Sequence, residues 1–354
     1  MNAKTLVLLV ATAAAASGLA VLIVQRGSPA SASAESRALL FPGLEARIND
    51  VARISVRHGA KPENQFTIVR GATDWEIVER GGYPAQFEKA KQLVVGLAEM
   101  RIVETLTARP ENHRRLGVHD PASHIDAPEG SGDGATIPTQ VTLADEKGNP
   151  LASVILGATR WGATPMVYVR KPDDPQVWLA SGRIDAPGVF TNWVDTQILN
   201  IPRDRVRSAV IMHPDGEVLA VERATPAETA FAVQNPPEGR RLRGPNVGDS
   251  VATAIAAVTL EDVAPIGSVN FDGGDGWTRG PTAEYRTFDG LVLTVQLAIK
   301  DDRTWARFVA NHDASVTPPE GATGLRSGAE VAQEVDRLNA RFSRFAFELP
   351  AWKA

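Results

Sequence analysis

Val51-Ala52-Arg53-Ile54-Ser55-Val56-Arg57-His58 alternates apolar and polar side chains from Arg53 onward, the period of a strand that buries one face and wets the other. Phe66 to Arg70 and Trp75 to Glu79 read as two further short strands, parted by the Gly71-Ala72-Thr73-Asp74 turn. Pro84 suits the first turn of a helix, where its missing N–H is not needed. Phe87, Ala90, Val94, Leu97 and Ala98 then share one helical face, and Arg101 to Leu106 leaves as a strand.

The same order returns further along. Val206 to His213, Glu217 to Glu222 and Thr229 to Val233 read as strands, and Val247, Val251, Ala254, Ile255 and Val258 form the apolar face of a second helix. Each half then carries a three-strand meander: Thr139 to Ala144, Leu151 to Leu156 and Met166 to Arg170 in the first, and Thr282 to Thr287, Leu291 to Ala298 and Trp305 to Ala310 in the second. The central turns hold Gly148 and Gly290, where a positive φ carries little penalty.

The expected fold class is α+β. An N-terminal transmembrane helix precedes two related β-rich modules, each of antiparallel strands with one packed helix, and a C-terminal helix follows. In residue numbers, 1–26 is the anchor, 27–44 a tether, 45–195 the first module with an insertion at 108–138, and 196–312 the second module. Residues 313–354 are a linker, a helix over Ala329 to Phe342 with Val331, Val335, Leu338 and Phe342 in one stripe, and a closing strand at Phe345 to Leu349.

Leu6 to Val24 contains no charge, and its nineteen residues would extend about 28 Å as a helix, close to the hydrocarbon thickness of a bilayer. A cleaved signal peptide, with Ala30-Ser31-Ala32 or Ala32-Ser33-Ala34 as the cleavage site, is the rival reading; length favours the uncleaved anchor. A short N-terminus stays inside, which puts the body in the periplasm of a single-pass inner-membrane protein. With 37 Lys and Arg against 42 Asp and Glu, the chain lacks the basic surplus that nucleic-acid binding requires. It has no cysteine, so disulfides, thiolate metal sites and thiol nucleophiles are excluded.

Several short runs carry a resemblance. Phe41-Pro42-Gly43-Leu44 leads into Ile48-Asn49-Asp50-Val51, the Trp75 strand precedes Tyr83-Pro84-Ala85, and Leu116-Gly117-Val118-His119-Asp120-Pro121, Val177-Trp178-Leu179 and Phe345-Ala346-Phe347-Glu348-Leu349-Pro350 follow in order. Through their order and spacing, over nearly the whole chain, they resemble the bacterial domain-of-unknown-function 4340 family. His119 stands where that family more often has an acidic or polar residue, and Phe345 where an aromatic such as Trp is usual. The resemblance implies a membrane-anchored exported protein, associated with ABC-type transport components like those of gliding-motility systems. It implies no catalytic residues and no cofactor.

Candidate chemistry is sparse. His113, His119 and His124, near Asp120 and Asp126, are the right atoms for a divalent metal, but His119 and His124 are five apart with Pro121 between them, so no helix pairs them. Asn270 to Gly276 has Asp275 where a calcium loop needs glycine, and reads as a tight turn. Gly274, Gly276 and Gly280 miss the dinucleotide spacing, and no nucleophile elbow, P-loop or H-E-x-x-H occurs. Asp173-Asp174 and Asp301-Asp302 read as polar turns, and Arg240-Arg241-Leu242-Arg243 as a loop. Trp75, Trp178 and Trp305 belong to strand patterns and so to the core, whereas Trp161 and Trp277 lie in Gly-rich loops.

These readings point to a non-catalytic periplasmic accessory or interaction protein. Its partners would be an inner-membrane complex such as ABC-type transporter subunits, with lipid contacted through the anchor and no nucleic acid. The alternative is an envelope enzyme or glycan-binding protein with its site in a cleft between the modules.

Overall fold

The computed structural model describes residues 38–124, 136–182, 184–234, 236, 244 and 247–351. The expected membrane segment, Asp126, and the Arg240 to Arg243 run lie outside them, and no helix among the described residues is long and apolar enough to cross a membrane. The chain is β-rich and α+β, with antiparallel sheets and few helices.

The first sheet is built from β1 (Arg53–His58), β2 (Gln65–Arg70), β3 (Trp75–Ile77) and β4 (Tyr83–Ala85), then helix α1 (Phe87–Ala98) and β5 (Arg101–Thr105). A short helix α2 (His113–Leu116) follows, and β6 (Thr139–Ala144), β7 (Pro150–Arg160), β8 (Met166–Arg170) and β9 (Val177–Ser181) complete it. The strand order is β4-β3-β2-β1-β6-β7-β8-β9-β5. Because β4 and β5 are the two edges, the helix joining them must cross a sheet face, and it buries Ala90, Leu93, Val94 and Leu97 against Ile54, Val56, Phe66, Ile68, Val141 and Val154. Pro84 pairs with Glu76 inside β4 rather than opening the helix, which starts at Phe87. Phe87 is thereby turned outward and exposed, against the expectation that it shares the buried stripe.

The remaining strands repeat the plan. After the short β10 (Gln197–Leu199) come β11 (Val206–Met212), β12 (Val218–Glu222) and β13 (Ala232–Gln234), helix α3 (Val247–Ala252), β14 (Val258–Thr259) and β15 (Asp262–Pro265). Then β16 (Thr278–Thr287), β17 (Leu291–Lys300) and β18 (Arg303–His312) form the meander, and α4 (Gly328–Phe342) leads into β19 (Phe345–Leu349). Their order is β13-β12-β11-β16-β17-β18-β19-β15, which matches β3-β2-β1-β6-β7-β8-β9-β5 position by position. The closing strand, expected beyond the second module, lies inside its sheet between β18 and β15, the place β9 holds in the first.

One side-chain arrangement also recurs. Arg70, ending β2, donates to the carbonyls of Asn49 and Val51 at 3.2 and 2.7 Å, with its guanidinium 5.5 Å from the Trp75 ring. Arg223, just after β12, donates to the carbonyls of Asp204 and Val206 at 2.8 and 2.9 Å, 4.9 Å from the Phe231 ring. In both halves an arginine leaving the second strand ties down the chain entering the first and is covered by the aromatic at or just before the start of the third.

Helix α4 is held to the second sheet by a buried ionic cluster. Arg205 Nε donates to Asp289 Oδ2 at 2.8 Å, and its Nη2 donates to Glu334 Oε2 at 2.8 Å. Thr287 Oγ1 and the Arg326 N–H also donate to Asp289. Farther along α4, Asn339 accepts from the Ala310 N–H at 3.0 Å and donates to its carbonyl at 2.7 Å, where β18 has passed the reach of β19. The two sheets are joined by packed groups: Tyr83 meets Phe345 edge-on at 5.0 Å, and Arg80 pairs with Asp262 at 2.6 Å, while β10 and β14 pair as a small separate sheet. A single apolar cluster runs through both.

The described part of the 108–138 insertion packs on the outer face of the first sheet, where Val118 joins Ile155 and Val177. Gly157 on β7 permits this, since a Cβ there would stand 2.4 Å from the Leu116 carbonyl oxygen. Gly157→Ala is expected to cost about 1–3 kcal/mol, and its amide exchange should quicken over 113–124 while β1 and β6 stay protected. The second sheet is covered likewise by a shorter loop that buries Val269 and Phe271 against Trp305; Trp277 lies 6.5 Å from the Trp305 ring and is half-buried, whereas Trp161 is 80% exposed.

Candidate ligand-binding site

Of the three histidines singled out from the sequence, His113 stands apart from the other two. His113 ends its side chain on the Pro175 carbonyl at 2.9 Å, so its imidazole is fixed by a backbone partner. His119 and His124 meet: Asp120 caps the short turn after Pro121 through the Ala122 N–H, which folds the chain back and brings His119 Nε2 to 3.0 Å from His124 Nδ1 with the rings stacked. Among the described residues no group of three or more His, Asp or Glu is placed to hold a metal.

Burial lowers the His119 pKa, and His124 and Arg114 beside it lower it further against the opposing pull of Asp120. A neutral imidazole favoured by the fold stabilises it above the ordinary histidine range, and that contribution fades as pH falls from about 6.5 through the lowered value. Residues 113–124 should therefore exchange amide protons several-fold faster at pH 5.5 than at pH 7.5, after correction for intrinsic rates. His119→Phe should flatten that difference.

A different place offers room for a ligand. Under the second sheet, Ile211 and His213 of β11 and its exit, Pro281, Ala283 and Tyr285 of β16, and Val295 and Leu297 of β17 floor a cavity of about 300 Å³. Phe308 and Leu349 extend the floor, and Ala254, Ile255 and Val258 roof it. Strand register explains the lining: Ala209 lies opposite Tyr285 and Ile211 opposite Ala283, so alternate residues of β11 and β16 point to this one face. Among the described residues, α1 in the first sheet spans twelve and inserts Leu93 and Leu97, whereas α3 spans six and buries Gly248 and Ala252.

Two polar groups face the cavity. His213 is exposed at the mouth. Tyr285 is 4% exposed, and burial pushes its phenol up to about 12. A site of this kind holds an apolar body and bonds one neutral polar group; it lacks an activated nucleophile or a pair of carboxylates. The sequence pattern marked Tyr285 as part of a strand, but the convergence of these strands on one cavity has no local signature.

Two antiparallel sheets share one strand order, and a largely apolar chamber lies under the second. The chain belongs to the family described as Domain of unknown function (DUF4340), whose family model matches residues 75–275. No curated protein and no solved structure matches it.

Proposed function

We propose that this is a non-catalytic accessory protein, held at the bacterial inner membrane by its N-terminal segment with its sheets in the periplasm, and that it assists an ABC-type transport or envelope assembly. Two sheets of the same strand order, each with the arginine tie at its first strand, support descent from one duplicated module. The carrying observation is the use made of the buried charged groups: Arg205 holds Asp289 and Glu334, while Arg170 and Arg223 hold backbone carbonyls. Those groups fix the fold, which leaves the sheet faces and the apolar chamber as the working surfaces. Tyr83, Phe345, Phe347 and the Arg80–Asp262 pair occupy the junction where the alternative reading places an enzyme or glycan site.

Confinement to a membrane raises the effective concentration of these faces toward membrane neighbours, so weak contacts suffice. An alkaline phosphatase reporter fused after Ala38 of the full N-terminal segment is expected to be active. Crosslinking in intact membranes should recover transporter subunits with the full chain and far less with a version starting at Ala38. An inactive reporter would reverse the orientation, and turnover of an envelope glycan or peptide without a membrane partner would establish the enzyme reading.

A further inference from the structure

The turn between β7 and β8 leaves Trp161 80% exposed, more than any other large apolar side chain among the described residues. We infer that this turn is a membrane-contacting surface: Trp161 enters the headgroup region of the bilayer and holds that end of the first sheet against the lipid. Such docking presupposes the N-terminal anchor proposed above, and it fixes which end of the body faces the bilayer.

Strand register puts the turn beside the point where the described chain begins. Arg160 lies opposite Met166, Met166 opposite Ser181, Ser181 opposite Arg101, and Arg101 opposite Leu39, so one row runs from the base of the turn to the entry of the chain. From Leu39 to Met166 the row covers three strand spacings, about 14 Å. Residues 27–37, between the expected anchor and the described chain, can span at most about 40 Å, which keeps this end of the sheet near the lipid.

The chemistry of the turn suits that place. No charged residue occurs from Trp161 to Val169, and residues 161–165 are all exposed. Tryptophan is favoured at the boundary of hydrocarbon and water, because its ring is apolar and its N–H keeps a hydrogen bond to headgroups or water. Arg160 meets Glu104 only at 3.9 Å, with both side chains more than half exposed, and is available to lipid phosphate. Charge orients the sheet the same way. The turns joining strands at the opposite end carry Asp74, Asp145, Glu146, Asp173 and Asp174 against Lys147 and Lys171, a surplus that anionic headgroups repel. At the Trp161 end the corresponding turns are balanced, Glu63 and Glu79 against Lys61 and Arg80.

The chain has no cysteine, so single cysteines can carry an environment-sensitive NBD fluorophore without background. The test uses the full chain in nanodiscs of phosphatidylethanolamine and phosphatidylglycerol, labelled at Ala163→Cys in the turn, at Glu146→Cys at the opposite end, or at Ala14→Cys in the anchor. The label at 163 is expected to be several-fold brighter than the label at 146 and several-fold less quenched by iodide, with the label at 14 shielded as well. Trp161→Ser, at an exposed position, should leave circular dichroism unchanged and raise quenching of the label at 163 to that at 146. Equal quenching at 163 and 146 beside a shielded label at 14 would overturn the docking and leave the anchor standing, and shielding at 163 that survives Trp161→Ser would overturn it too. A label at 14 open to iodide would remove anchor and docking together.

Discussion

Arg205→Ala is expected to lower the stability of the protein by about 3–5 kcal/mol, read as a large drop in the urea midpoint of the second sheet. The guanidinium is 2% exposed and lies between Asp289 and Glu334, themselves buried, so its removal leaves Asp289 without a counter-ion and Glu334 with only the partly exposed Arg326. Attraction inside the cluster offsets a heavy desolvation cost, and the loss of one partner leaves that cost uncompensated. Arg207→Ala is the control: Arg207 meets Glu222 at 3.4 Å with both side chains more than 40% exposed, and about 0–1 kcal/mol is expected from so wet a pair.

The same cluster sets an acid limit. Burial by itself would raise the Asp289 pKa, but hydrogen bonds from Arg205, Thr287 and the Arg326 N–H overcome it and hold the carboxyl below its usual range. A carboxylate with a depressed folded value contributes fully above its unfolded value near 4 and loses that contribution as pH falls through the folded one. Unfolding midpoints should thus be level through neutral pH and fall below about pH 4, more shallowly for Asp289→Asn.

Leu97→Asp is expected to cost at least about 4 kcal/mol. Leu97 is wholly buried where α1 crosses the first sheet, and the cluster around it has no cation for a new carboxylate. Aspartate there is forced either to take up a proton or to draw water into the core. Val251→Asp in the second sheet is expected to cost only about 1–2 kcal/mol, because α3 ends at Ala252 and Val251 is half-buried at the margin of the core. Urea unfolding followed through the fluorescence of buried Trp193, which packs edge-on against Phe66, measures both.

Strand alternation and turn glycines made most of both sheets legible, since periods of two and positive-φ turns are local properties. Asp301 and Asp302, read as a polar turn, adopt φ of 51° and 59° between β17 and β18. The long-range choices were not legible. Phe345 to Leu349 was recognisable as a strand, but its place between β18 and β15 depends on pairings 41 to 86 residues away in sequence. The helix after Pro84 was placed three residues early, because Pro84 faces away from the β3 ladder and an edge strand tolerates it as well as a helical first turn does. The chamber was invisible for a related reason: its lining comes from β11, β16, β17, β18, β19 and the segment after α3, which only the folded strand order brings together.

Asn339 has a wider role than fixing a helix. Its carboxamide presents to Ala310 the same donor and acceptor that a residue of a neighbouring strand would present, at the part of β18 that β19 leaves uncovered. A bare strand margin bearing Phe308 and Val309 would recruit other chains in a crowded compartment and seed insoluble assemblies. One side chain on α4 imitates the missing strand and closes that route, so the helix protects the protein from self-association as well as holding its shape.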